Sequence, residues 1–147
     1  MIANIKSVAR RLIGLPGAEG YVRRLVERGE CQRALDIGCG ATSILSQFRP
    51  KIRTTGLDAF EASIAQARAR GLHDEYVLAN ILSLSAHDIL SRCGGQPFDL
   101  VTLLDVIEHL PKRQGFDLLE KCERLTSKYL IVETPNGFLE QGPEFGN

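Results

Sequence analysis

Apolar residues along this chain alternate between two arrangements: short unbroken runs, and stretches where they return every three or four positions. The runs Ala34–Ile37, Ile52–Leu57, Glu75–Ala79, Phe98–Leu104 and Tyr129–Val132 read as strands. Between them the helical period predicts a stripe at Tyr21, Val22, Leu25 and Val26 that Gly29 closes. A second follows at Ile44, Leu45 and Phe48 up to Pro50, and a third at Phe60, Ile64 and Ala67 stopped by Gly71. Ser85-Ala86-His87-Asp88 has the form of a capping box, with Leu84 and Ile89 as its hydrophobic staple, opening a helix that ends at Gly94-Gly95. Leu118, Cys122 and Leu125 mark the next helix, and Thr134-Pro135-Asn136-Gly137 is a turn. Near the start, Lys6, Arg10 and Arg11 stand without an acid, but the apolar stretch of a secretory signal is missing. Ile2, Ile5, Ala9, Leu12 and Ile13 instead line one face of a short helix.

Strands that are nearly continuous apolar runs are buried on both faces, as in a parallel sheet covered by helices. Strands alternating with helices then predict a doubly wound α/β fold of about five parallel strands, with helices on both faces. In such a sheet a ligand binds at the carboxyl ends of the strands, where the strand order reverses. The expected organisation is an N-terminal helical segment over 1–33, a ligand-binding core over 34–134, and the start of an incomplete C-terminal connection over 135–147.

Length and charge narrow the classes. The 147 residues suit one domain, and 18 Lys+Arg against 18 Asp+Glu leave a net charge of zero. A binder built on a broad basic surface is disfavoured, so no nucleic-acid partner is expected. No apolar run approaches the roughly 20 residues of a membrane-spanning helix. Cys31, Cys39, Cys93 and Cys122 include no C-x-x-C pair, so neither a zinc knuckle nor a dithiol motif is read, and a cytoplasmic protein with reduced thiols is expected.

The chemistry concentrates just after strands. In Leu35-Asp36-Ile37-Gly38-Cys39-Gly40, two glycines let the backbone turn and approach a ligand closely. Asp58 ends the next strand, near the place where an acid binds ribose hydroxyls in dinucleotide folds. Yet Ser43 replaces the third glycine of G-x-G-x-x-G, and Asp36 would repel an anionic pyrophosphate. A ligand carrying an amine or a sulfonium would be welcomed there.

Leu35-Asp36-Ile37-Gly38-Cys39-Gly40, Gly56-Leu57-Asp58, Phe98-Asp99-Leu100-Val101 and Asp105-Val106-Ile107-Glu108-His109-Leu110, in that order, resemble class I S-adenosylmethionine-dependent methyltransferases from about Ala34 to Val132. The resemblance implies a Rossmann-like methyltransferase fold with S-adenosyl-L-methionine as cofactor. It places the backbone of Gly38, Cys39 and Gly40 beneath the methionine part, Asp36 at the amino group, Asp58 at the ribose hydroxyls and Ala59 beside the adenine. Asn80 stands where the family often has an acid for the adenine amine, with Ile81 packing on the ring and Leu104 bordering methionine and ribose. Thr42 occupies the loop's third glycine position.

A protonated acceptor needs a base, and Asp105, Glu108 and His109 follow the strand that flanks the donor methyl. His109 is the first choice, with Asp105 as the second catalytic candidate; an alternative is that His109 orders the loop. Asp105-x-x-Glu108-His109 also resembles the E-x-x-E-H metal site of small-RNA 2′-O-methyltransferases. With Asp first, no downstream histidine, and His87 placed in a helical first turn, no metal is expected. The family continues into further C-terminal strands, so the chain reads as a fragment, or as a shortened relative, or as a dimer across an open sheet edge. The expected activity is methyl transfer to a small-molecule or glycan-type acceptor. The alternatives are a shortened non-catalytic module that binds a cofactor or partner, and a nucleotide-dependent oxidoreductase.

Overall fold

In the computed structural model, which describes residues 17–135, the apolar runs form β1 (Arg33–Ile37), β2 (Arg53–Asp58), β3 (Glu75–Leu78), β4 (Phe98–Leu104) and β5 (Thr126–Glu133). All pairings are parallel and the order is β3-β2-β1-β4-β5. The chain steps outward from β1 through β2 to β3, then returns to place β4 on the other side of β1. The order therefore reverses between β1 and β4, and that is where a doubly wound sheet opens a crevice.

The helices are α1 (Ala18–Glu27), α2 (Glu61–Ala69), α3 (Ala86–Arg92) and α4 (Lys112–Leu125). Successive β1 residues face opposite sides. Leu35 and Ile37 join Leu57, Val101 and Leu103 under Ile89 of α3 and Leu118, Cys122 and Leu125 of α4. Ala34 and Leu100 point the other way, toward Val22 and Val26 of α1 and Leu45 and Phe48. Both sheet faces are thus covered, which explains the unbroken apolar runs. All four cysteines are free and buried, and no described helix is long and apolar enough to cross a membrane.

Three details depart from the sequence pattern. Ile44–Phe48 is a 3-10 helix rather than an α-helix. Ser43 caps its start through Leu45 N (3.1 Å) and Pro50 follows closely, leaving room for little more than one turn, although Leu45 and Phe48 are buried as expected. Phe60 does not share the buried face of Ile64 and Ala67: it is the extended N-cap of α2, outside the helical register, and 72% exposed. β5 begins at Thr126, directly after α4, because pairing with β4 extends the strand through polar residues that carry no hydrophobic signal. The Ser85–Asp88 capping box forms in full. The expected helix over Ile2–Ile13, the turn beyond Pro135 and the 136–147 connection lie outside the described residues.

Candidate functional site

The crevice at the switch point is floored by Asp36, near the end of β1, and walled by the loop that follows. Gly38 and Gly40 both adopt positive φ (71° and 54°), where a side chain is strained. Gly38 N and Cys39 N both donate to Leu57 O (2.8 and 3.1 Å), folding the loop across the end of β2. Asp58 fixes the rest: its Oδ2 accepts from Gly40 N (2.9 Å) and its Oδ1 from Phe60 N (2.8 Å). A side chain at Gly38 would strike Val106, whereas the space beside Gly40 is open.

The resulting cleft has a volume of about 530 Å³. Asp36, Gly38, Cys39, Gly40, Leu104 and Asp105 line it, together with Thr42, Ser43, Ile44 and Gln47. Six residues picked out from the sequence therefore meet around one space. Its lining holds two carboxylates and no lysine or arginine, which suits a ligand with positive charge and opposes a pyrophosphate.

Asp36 is 4% exposed. Ser43 Oγ donates to its Oδ2 (2.5 Å) and Thr102 Oγ1 to its Oδ1 (2.7 Å). Burial pushes its pKa up to about 6, against the lowering effect of those two hydroxyls, and the nearby Asp58 charge adds to the rise. Behind it, His73 Nε2 lies 3.6 Å from Asp36 Oδ2. Burial holds that imidazole down at about 4, with the Arg49 charge acting in the same direction. Burial, then the Asp36 and Asp58 charges, raise the Cys39 thiol to about 12, which disfavours its thiolate form.

Asp105 follows β4 with φ 52°, the left-handed conformation that aspartate tolerates better than most residues, and its N–H donates to Glu133 O (2.9 Å). That turn aims the chain into the 3-10 helix Ile107–His109. Glu108 is half-buried there, and burial followed by the Asp105 charge raises its carboxyl.

The remaining expected residues sit apart from this lining. Asp58 lies behind the glycine loop, Ala59 and Asn80 are exposed beside it, and His109 is half-buried beyond Asp105. Asn80 Oδ1 already accepts from Leu82 N (2.9 Å). Ile81 is only 8% exposed and belongs to the core, its carbonyl accepting from Lys121 Nζ of α4 (2.5 Å). Sequence reasoning missed His73, Thr102 and Gln47, and Ser43 as a partner of Asp36. A threonine among the apolar residues Leu100–Leu104 of β4, in register with Asp36, was the available signal for one of them.

A glycine loop over a buried acid at the switch point of a parallel sheet defines a Rossmann-like cofactor-binding domain. The chain belongs to the methyltransferase-domain family, whose model matches residues 35–128. It is 34% identical over 96 residues to a ubiquinone biosynthesis O-methyltransferase of Pseudomonas aeruginosa, covering 64% of this chain and 39% of that protein. A small RNA 2′-O-methyltransferase of Tetrahymena thermophila is 24% identical over 149 aligned positions, covering 85% of this chain and 35% of that protein. Among solved structures, a SAM-dependent methyltransferase from Archaeoglobus fulgidus superposes with a TM-score of 0.57 at 25% identity, covering 81% of this chain and 54% of that one. The chain thus spans about two fifths of the length of the curated relatives it matches.

Proposed function

We propose that residues 34–134 form the S-adenosyl-L-methionine-binding core of a methyltransferase acting on a small-molecule or glycan-type acceptor. The observation that carries the cofactor is the charge of the cleft: a buried carboxylate at its floor, a second at its rim, and no cation in its lining. The open face beside Gly40 leaves a cradle for the methionine part. In this reading Asp36 holds the amino group, and the Gly38-Cys39-Gly40 backbone passes beneath the methionine moiety. The free lone pairs of Asp58 take the ribose hydroxyls, and Leu104 borders both. Ala59 lies beside the adenine. Asn80 keeps one lone pair for its amine, and Ile81 supports the ring through the backbone that Lys121 clamps.

When bound, the cofactor supplies a methyl group on a sulfonium, the electrophile of an in-line displacement. The chain's part is to orient that group, keep water from it and accept the acceptor's proton. Asp105 stands at the cleft rim for that proton, with His109 one short helix further on. The family match and the ubiquinone biosynthesis O-methyltransferase of P. aeruginosa support this reading. A zero net charge does not decide against an RNA acceptor, because the T. thermophila relative is a small-RNA enzyme. A cytoplasmic location fits four free thiols.

Calorimetric titration of the 147-residue chain with S-adenosylmethionine, S-adenosylhomocysteine and NAD in parallel tests the reading. Selective binding of the two adenosyl ligands is expected. Binding of NAD in their place would overturn it.

A further inference from the structure

Behind the floor of the cleft lies an imidazole that nothing described so far employs. We propose that His73 is a positioning residue of the cofactor site, whose buried ring N–H supplies the third donor that holds the Asp36 carboxylate ionised and aimed into the cleft. The proposal rests on the reading of Asp36 as the acid that faces the cofactor's amino group.

The geometry is specific. The His73 side chain has no exposed surface, its Nε2 faces Asp36 Oδ2 at 3.6 Å, and neither ring nitrogen has a hydrogen-bond partner. Burying an imidazole without partners costs free energy that an aliphatic residue of similar size would not. The surroundings nonetheless make room for it. A side chain at Gly56, the β2 residue in register with Asp36, would come within 2.6 Å of His73 Cδ2 and 2.9 Å of Cys39 Sγ. Tyr76 packs edge-on against the ring at 5.8 Å, and its hydroxyl accepts from His73 N (2.9 Å). The ring is thus fixed from its own backbone and from β3 with one nitrogen directed at the carboxylate.

Asp36 has room for that donor. Ser43 and Thr102 each give it one hydrogen bond, while a fully buried carboxylate is held ionised by two or three. At 3.6 Å the His73 contact lies just outside hydrogen-bonding distance. An approach of about half an ångström by either side chain would close it. Other groups facing the pair are few. Asp58 and the Cys39 thiol act on Asp36 from the glycine-loop side, and the Arg49–Asp74 ion pair (3.0 Å) acts on His73 from the exposed side.

The test is a carbon-13 titration of the Asp36 carboxyl in the full chain, in the native protein, His73→Leu and His73→Gln. Leucine removes the donor; glutamine places its amide nitrogen near the position of Nε2. The native midpoint is expected near 6, His73→Leu about one unit higher, and His73→Gln close to native. An unmoved midpoint in His73→Leu would overturn the proposal. Should that variant not fold, nitrogen-15 shifts of the native His73 ring across pH 5–7 decide the matter: an Nε2 proton that does not respond as Asp36 ionises has the same consequence. Affinity for S-adenosylhomocysteine gives a second reading. His73→Leu should bind about fivefold more weakly than native at pH 6 and within about twofold at pH 8, the ratio expected from a one-unit rise. An equal loss at both pH values would mark a packing role and refute the proposal. If Asp36→Asn binds the ligand as native does, the cofactor reading of Asp36 fails instead, while the midpoint comparison still reports what His73 does to Asp36.

Discussion

Replacing Asp36 by asparagine is expected to stabilise the chain while weakening its hold on the cofactor, and the size of the gain follows from burial. Asp36 is 4% exposed, and its pKa rises from 3.8 to about 6 on folding. Ionising it inside the folded chain therefore costs about 3 kcal/mol relative to the unfolded chain. Asparagine has the same shape and no charge. Its Oδ1 keeps the Thr102 hydroxyl as donor, and its Nδ2 can donate to Ser43 Oγ, which turns to accept. The sign is fixed by linkage. A raised carboxyl pKa means that the folded state binds the extra proton between pH 4 and 6, so Asp36's own contribution to native stability falls as pH rises through that window. The difference between Asp36→Asn and native should be small at pH 4, grow through pH 5, and level off near 3 kcal/mol above about pH 6.5. For a domain of this size that is a melting-temperature gain of about 10 °C. Urea unfolding of both proteins at pH 4, 5, 6 and 7.5 measures it. A variant less stable than native at pH 7.5, or a difference independent of pH, would refute the reasoning.

Two further substitutions probe the loop. Gly38→Ala places a methyl group on Val106 in a left-handed conformation and should cost about 1–3 kcal/mol of stability by overpacking and strain, read by thermal unfolding. An unchanged melting temperature would mean that the loop is not seated as described. Asp58→Ala releases Gly40 N and Phe60 N; it is expected to weaken S-adenosylhomocysteine binding by about 1.5–3 kcal/mol, as for loss of a charged acceptor. Calorimetry that finds full affinity would place the ribose elsewhere.

The sheet was legible because its signal is local and repeated: β4 runs over Phe98–Leu104 in both pattern and structure, and β1 to β3 differ by a residue at their ends. Leu35 and Ala34 had to be apolar together because helices cover both faces. The positions of Asp36, Gly38, Gly40 and Asp105 were equally legible, since each follows or ends a strand and topology carries them to one end of the sheet. What lies around Asp36 was not. His73 sits before β3 and Thr102 within β4, and each reaches Asp36 through sheet register rather than through neighbouring sequence. Phe60 failed for the opposite reason: it was read from its local spacing, while its tertiary position makes it the exposed cap of a helix, outside the helical register.

Asp36 and His73 also determine how the chain meets changing pH, because their displacements oppose each other. Asp36 rises from 3.8 to about 6, so it withdraws stability as pH increases from about 4 to 6. His73 falls from 6.5 to about 4, so its neutral buried ring contributes stability above pH 6.5 that is lost as pH drops toward 4. Near pH 5 the folded pair is neutral acid plus neutral imidazole, and the unfolded pair is carboxylate plus imidazolium. Each holds one proton, so folding neither takes up nor releases a proton at this pair. Native stability between about pH 4.5 and 6 should therefore be nearly level in the pair's contribution. Asp36→Asn, keeping only the imidazole, should lose about 1.4 kcal/mol per pH unit as the medium is acidified across the same interval. A buried acid is thus offset, through acid pH, by a base buried beside it. A cofactor cation entering the cleft would break that balance by drawing Asp36 into its charged form, with release of a proton to solvent near pH 6.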